Sequence, residues 1–350
     1  MRVVVIGATG NVGTSLVSVL GRDPGMQEII GVARRTPEWA APKTTWTAAD
    51  IREADLVETL RGADAVVHLA WLIQPSRDEQ ELASVNVDGT RRLLRAVADA
   101  GVPALVYASS VGAYSPGPGE HRVEESWPTQ GIASSSYSRH KSEVERMLDR
   151  FEAEHPGVRV VRLRPGLIFK REAASQIRRY FAGPFLPGSL LKPGLLPVLP
   201  LPTRLAVQAV HADDVAEAYR LAVTGSVQGP FNIAAEPVLT AEELGSVLGA
   251  RVVAVRPSLV RAAVRLSWKA RLQPISPGWL DMGLQAPIMN TTRAREELGF
   301  TPRRSSADAL LELLEGMRAG AGGPTPPLAT GAGGPLRVRE VLTGVGARNP

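Results

Sequence analysis

The first thirteen residues constrain this chain more than any other stretch. Arg2–Ile6 (RVVVI) is a short β-branched run without polar alternation, the pattern of a strand buried on both faces. It runs straight into Gly7-Ala8-Thr9-Gly10-Asn11-Val12-Gly13, where an apolar-periodic helix is expected from about Asn11 to Leu20. Pyrophosphate must approach backbone N–H groups at a helix N-terminus, and a side chain there would block it. Glycine also permits the positive φ of a tight turn, and the last glycine lets the helix lie close to the sheet. The turn therefore predicts a dinucleotide site built from Gly7, Thr9, Gly10, Asn11, Val12 and Gly13.

The alternation continues. Strands are expected at 28–33, 44–47, 65–69, 105–108 and 158–163, with helices at 55–60, through NVDGTRRLLRAVADA, and at 138–151. Strands alternating with helices imply an α/β fold, a Rossmann-type doubly wound parallel sheet, in residues 1–165. A helix near 215–223 and a strand near 230–234 are expected to return residues 205–235 to it. Residues 166–204, rich in Pro, Gly and Leu, and 236–318 are assigned to a smaller substrate-binding lobe. Beyond Ala319 the low-complexity AGAGGPTPPLATGAGGP reads as a flexible tail, 319–350.

Composition excludes several chemistries. The 350 residues contain no cysteine, so disulfides and thiolate nucleophiles are impossible, and the five histidines form no zinc-type spacing; no metal is expected. A net charge of +5 raises the question of nucleic acid, but the arginines are scattered rather than gathered, which reads as a solvated surface. No membrane partner is expected, since no uninterrupted apolar stretch reaches the ~18 residues of a span, and the N-terminus lacks a signal-peptide pattern, so a cytoplasmic soluble protein is the expectation.

Two further groupings bear on chemistry. The second strand ends GVARR, placing Arg34 and Arg35 where an acidic residue would hold the ribose 2′-hydroxyl of NAD. Guanidinium groups there suit a 2′-phosphate, which favours NADP(H) over NAD(H); a solvated arginine pair is the other reading. Tyr137-Ser-Arg-His-Lys141 places a phenol and an ammonium at i and i+4 on one helix face. A nearby cation lowers a phenol's pKa and makes it an acid–base group for carbonyl or alcohol chemistry.

The Gly-x-x-Gly-x-x-Gly spacing, with Tyr-x-x-x-Lys following, resembles the extended branch of the short-chain dehydrogenase/reductase superfamily, the NAD-dependent epimerase/dehydratase family. The resemblance runs to about residue 317 and is densest in the first 170. It implies that Lys141 holds the nicotinamide ribose as well as tuning Tyr137, and that both belong to the cofactor site. It implies that a hydroxyl four residues before Tyr114, Ser110 rather than Ser109, polarises the substrate oxygen, although Ser115 stands where the family has glycine. Asp50-Ile51 resembles the family's adenine-holding pair, with a helix N-cap as the alternative role of Asp50. His68-Leu69-Ala70-Trp71 resembles the segment lying along the cofactor, Asn86-Val-Asp-Gly-Thr90 the following helix, and Arg162-Leu-Arg-Pro165 the segment beside the nicotinamide. The usual Tyr-Gly after it is replaced by Phe169-Lys170.

A small-molecule substrate is expected outside the strands' carboxyl ends, against the lobe, with Trp71, Tyr114 and the apolar 181–205 segment as candidate walls. Arg178, Arg179, Lys192 and Arg204 are the cations available for a diphosphate. The expected function is an NAD(P)-dependent oxidoreductase moving hydride to or from a carbonyl or alcohol carbon with Ser110, Tyr137 and Lys141. A nucleotide-sugar epimerase or dehydratase retaining NAD, and a non-catalytic dinucleotide sensor, are the alternatives. The resemblance also allows a homodimer through helices 86–100 and 138–154.

Overall fold

The computed structural model describes residues 1–119, 121–182, 194–195 and 197–333. Its centre is a parallel seven-stranded sheet. In chain order its strands are β1 (Arg2–Ile6), β2 (Glu28–Ala33), β3 (Thr44–Ala48), β4 (Ala65–His68), β5 (Ala104–Ala108), β6 (Arg159–Pro165) and β7 (Gly229–Ile233). Their spatial order is β3-β2-β1-β4-β5-β6-β7. The order reverses between β1 and β4, which opens a crevice at the carboxyl ends of those two strands.

Period-two alternation decides which layer each side chain joins. Val3 and Val5 enter one core with Leu16, Val17 and Leu20 of helix α1 (Asn11–Arg22) and Val215, Tyr219 and Val223 of α4 (Ala212–Thr224). Val4 and Ile6 enter the other, with Leu93 and Val97 of α2 (Thr90–Asp99) and Val144, Leu148 and Phe151 of α3 (Ser136–Glu154). The sheet is covered on both faces, and the polar side chains its strands do bury, such as His68, Arg162, Arg164 and Asn232, all find hydrogen-bond partners.

The remaining segments are knitted to this body by short strand pairs. Leu167–Phe169 runs parallel to Ala209–His211, Ala206–Val207 antiparallel to Leu239–Thr240, and Arg122–Val123 parallel to Ile288–Met289. Val198–Pro202 runs parallel to Arg251–Val255. That strand contains Pro200 and Pro202, which sequence patterning reads as aperiodic. The two prolines share one parity, and the donor to the partner strand comes from Thr203 of the other parity, so no ladder bond is lost. Three further helices matter below: α5 (Pro257–Lys269), α6 (Pro277–Gln285) and α7 (Ser306–Ala319).

The flexible tail expected from residue 319 does not begin there. Thr325 and Leu328 are fully buried, Ser175 donates its amide to Ala321 O at 3.1 Å, and Arg179 donates to Pro327 O at 3.0 Å. Burial of one leucine and one threonine in a composition otherwise poor in apolar groups is enough to dock the strip through residue 330; 334–350 lie outside the described residues.

Candidate active site

The turn after β1 has the geometry its glycines foretold. Gly7 sits at φ 87°, and a Cβ there would lie 2.6 Å from the backbone nitrogen of Ala70. A Cβ on Gly13 would lie 2.5 Å from Gly7 O, so α1 presses directly on the turn. Around Gly10 only Gly7 O comes within 3.5 Å of such an atom, leaving open space above the helix start. No side chain caps the first turn of α1. Backbone donors facing an open cradle fit the pyrophosphate of a dinucleotide.

The turn is clamped from beneath by a residue the sequence reading passed over. Lys170, buried at the end of the Leu167–Phe169 strand, donates to Asn11 O and to Thr14 Oγ1, each at 2.7 Å. Burial draws its pKa down to about 8. The amide of Asn11 reaches Ile168 O at 3.2 Å. From the other side Thr325 donates its hydroxyl to Thr9 O at 2.7 Å. The only sequence signal for Lys170 was its place where the resemblance expected glycine.

At the end of β2, Arg34 and Arg35 are solvent-exposed. Asp50 faces the same edge, its pKa held down chiefly by Arg52 and also by Arg34. Its carboxylate accepts from both the amide and the guanidinium of Arg52, so it is spent on a local turn and ion pair rather than on a helix cap. Ile51 is buried in the core against Gly89, where a Cβ would come within 2.7 Å of it. Asn86 accepts from Leu72 N at 2.7 Å and donates to Leu72 O at 3.1 Å. Both ends of its amide are thus used to fix the 69–72 segment. Asn86 thereby positions the segment expected to lie along the cofactor. His68 bonds Thr90 at 2.8 Å and stays neutral, burial drawing its pKa down to about 3.

That fixed segment links the turn to the catalytic candidates. Leu69 and Ala70 lie against Gly7. The Trp71 ring then covers Lys141, whose Nζ sits 3.4 Å from the ring centroid. Lys141 also donates to Ala108 O at 2.6 Å and lies 3.4 Å from the Tyr107 hydroxyl. Burial draws its pKa well down, with Glu145 opposing. The Tyr137 phenol is pushed up to about 12 by burial, while a hydrogen bond with Ser110 pulls the other way. Lys141 stands 5.9 Å from the Tyr137 ring, turned toward Trp71, so in this arrangement it does not acidify the phenol. The expected depression of the Tyr137 pKa is therefore reversed: desolvation of the phenol outweighs a cation that is aimed elsewhere.

The neighbouring serines have separate tasks. Ser110 lies beside Tyr137 and accepts from Gly112 N at 3.0 Å, capping a single 3₁₀ turn. Ser109 donates to Glu145 at 2.5 Å. Glu145 also takes two bonds from Arg164, at 2.8 and 2.9 Å, and one from Arg162 at 2.9 Å. Arg164 continues to the hydroxyl of Tyr114, which donates to Asn232 at 2.7 Å. Tyr114 is thus fully buried in this network and forms no pocket wall. Pro165 ends β6, buried.

Aromatic side chains enclose Tyr137. Trp71 meets it edge-on at 6.0 Å, Trp279 lies at 5.1 Å, and Phe181 contacts Trp279 at 5.1 Å. Trp279 stands on the first turn of α6, brought in because Gly278 abuts Ser134, where a Cβ would meet the carbonyl at 2.1 Å. Met282, one turn on, reaches Ser135. Trp71 Nε1 is buried without a partner among the described residues, a donor left over at the site. Among the cations considered for a diphosphate, Arg179 is spent on Pro327, Arg204 is exposed, and Lys192 lies outside the described residues.

The model of the NAD dependent epimerase/dehydratase family matches residues 3–234. The chain belongs to this family of NAD-dependent enzymes. It is similar to an uncharacterized protein of Mycobacterium tuberculosis, 28% identical over 321 residues, which cover 91% of this chain and 30% of that protein. The chain thus spans less than a third of that relative's length. It is also similar to the decarboxylating sterol-4-alpha-carboxylate 3-dehydrogenase of Saccharomyces cerevisiae, 24% identical over 91% of this chain and 98% of that one. Among solved structures, the UDP-glucose 4-epimerase of Thermus thermophilus in complex with NAD shares the fold, with a TM-score of 0.65 and 22% identity over 91% of this chain and 99% of that one. No helix among the described residues is long and apolar enough to cross a membrane.

Proposed function

We propose that this chain is an NADP(H)-preferring oxidoreductase that interconverts a carbonyl and an alcohol on an apolar substrate. The observation that carries the reading is the convergence of Ser110, Tyr137 and Lys141 next to the glycine turn, inside a wall of Trp71, Phe181 and Trp279. A bound nicotinamide would supply or take up the hydride. Tyr137, protonated across the neutral range, is the group that donates a proton to the carbonyl oxygen, and Ser110 holds that oxygen by a second hydrogen bond. Lys141 of α3, whose Nζ reaches Ala108 O at the end of β5 under the Trp71 ring, would meet the ribose once Trp71 moves off it.

The absence of an acid after β2, with Arg34 and Arg35 exposed there, supports the 2′-phosphate. An aromatic enclosure around the proton donor supports a substrate whose reacting end is apolar, since rings contribute area and few hydrogen bonds. A nucleotide-sugar substrate is the competing reading, and its diphosphate would fall to Arg178 or Arg204.

Titration of the purified, cofactor-free chain with NADPH and NADH, followed by nicotinamide fluorescence, is the first test. Selective NADPH binding, reduced in Arg34→Ala/Arg35→Ala, is the expected result; NAD that leaves only on denaturation would instead favour an epimerase or dehydratase. Tyr137→Phe is expected to abolish turnover of apolar ketones while leaving NADPH binding intact. Turnover that survives this variant unchanged would show that a group other than Tyr137 is the acid.

A further inference from the structure

Helix α5 is built inside out. Leu259, Ala262, Ala263 and Leu266 recur at i, i+3, i+4 and i+7 and form one stripe. In a helix lying on a protein body that stripe faces inward; here it faces solvent. Leu259 is 62% and Leu266 68% exposed, and no residue of the helix is buried. The opposite side, with Val260, Val264 and Trp268, turns half-buried toward the body. Arg77 stacks on Trp268 at 4.1 Å, and Arg261 pairs with Asp281 of α6 at 2.8 Å, which fixes this orientation.

The charge around the stripe has one sign. Between Leu244 and Leu280 the chain carries six arginines and lysines and neither aspartate nor glutamate. Those six exceed the formal excess of five carried by the whole chain, so the protein's net positive charge resides in this one segment. Reading the arginines as evenly scattered missed this, because the signal is not a run of cations but a long gap in the acids. Arg265 and Lys269 flank the stripe and are exposed, as are Arg256 and Arg271 at the two ends of the helix. Leu272, 57% exposed, extends the apolar surface beyond it.

We propose that the outward face of α5 docks on an anionic lipid surface. A short apolar stripe bordered by long basic side chains is the pattern of a helix lying in a membrane interface, its leucines among the acyl chains and its cations at the headgroups. A second copy of the chain is a poor occupant, because pairing this face with itself would oppose like charges. An acidic protein groove would satisfy the charge, but the stripe offers only two leucines separated by alanines, too shallow an anchor for a groove and sufficient for insertion between headgroups. The surface is separate from the residues assigned to catalysis.

Sedimentation of the full chain with vesicles of phosphatidylcholine alone, and of phosphatidylcholine mixed with phosphatidylserine, tests this. The expected result is co-sedimentation with the mixed vesicles only, weakened by salt and reduced about tenfold or more in Leu259→Glu/Leu266→Glu and in Arg265→Glu/Lys269→Glu. Both variants change exposed side chains, so the thermal midpoint and NADPH binding are expected to stay as in the parent chain. Absence of binding to either vesicle, or binding that ignores the leucine pair, overturns the proposal. So does light scattering that shows the leucine variant dissociating an oligomer, since the stripe would then be covered by another copy.

Discussion

Glu145 is wholly inaccessible to solvent and ionised all the same. Burial alone would raise its pKa, but Arg164, Arg162 and Ser109 hold it down to about 2. The folded value lies below the ordinary 4.5, so this carboxylate adds stability above about pH 4.5 that is lost as the pH falls toward 2. Urea midpoints measured across that range are expected to fall, and to fall less steeply in Glu145→Gln. That variant leaves buried Arg164 without a counter-charge, whereas Arg162 keeps Asp149 and Glu152; breaking the buried pair costs about 3–5 kcal/mol. Gly7→Ala is a second test at this scale. Its Cβ would need a positive φ and would enter the backbone of Ala70, so loss of dinucleotide binding is expected even if the chain folds. Part of this scale was legible: spacing marked the strained Gly7 and the close-packed Gly13, and spacing together with the family resemblance pointed to Ser110, Tyr137 and Lys141 as the candidates. The direction of the Tyr137 pKa was not, because desolvation and the aim of an ammonium are properties of packing. Nor was the part played by Glu145, which no motif marks.

Among the elements, the strip after α7 is the least expected. Glycine and proline dominate it, and composition reads it as flexible. Yet Leu328 is buried and Thr325 satisfies the carbonyl of Thr9. Thr325→Val keeps the shape and removes the donor, leaving a buried carbonyl short of a partner; a loss of about 1–3 kcal/mol is expected in denaturant unfolding. Ending the chain at Ala319 is expected to lower the thermal midpoint and to weaken NADPH binding together, because the strip braces the turn. Binding that survives truncation unchanged would show the contact to be incidental. Elements that rely on local pattern were read within about three residues: β2 was expected at 28–33 and is found there, and β6 was expected at 158–163 and runs 159–165. Val198–Pro202 escaped notice because its prolines break every strand pattern, and only the register with Arg251–Val255 shows that they face away from the ladder.

The molecule as a whole follows from the parallel sheet. Reversal of strand order between β1 and β4 gathers the glycine turn, Trp71 and the carboxyl end of β5 on one rim, and the helix α6 closes that rim with Trp279. A dinucleotide bound there contacts segments far apart in the chain, so it stabilises the folded state as a unit. With NADPH at about a hundred times its Kd, a gain of about 2.7 kcal/mol is expected, read as a rise in thermal midpoint, and Gly7→Ala should erase it. Overall architecture was legible because buried parallel strands are short, β-branched and regularly spaced. The aromatic enclosure was legible only in part: Trp71 and the segment holding Phe181 were named as candidates, whereas Trp279 joins them through tertiary packing alone.

The bond between Thr325 and Thr9 also sets an order of events in synthesis. The glycine turn leaves the ribosome well before the segment that braces it, which follows 316 residues later. Until that segment emerges, a nascent chain can form β1 and α1 but holds the turn from one side only, through Lys170. Competence for the dinucleotide would then arrive late, after the sheet has been laid down, and a chain released early would carry the fold without the grip.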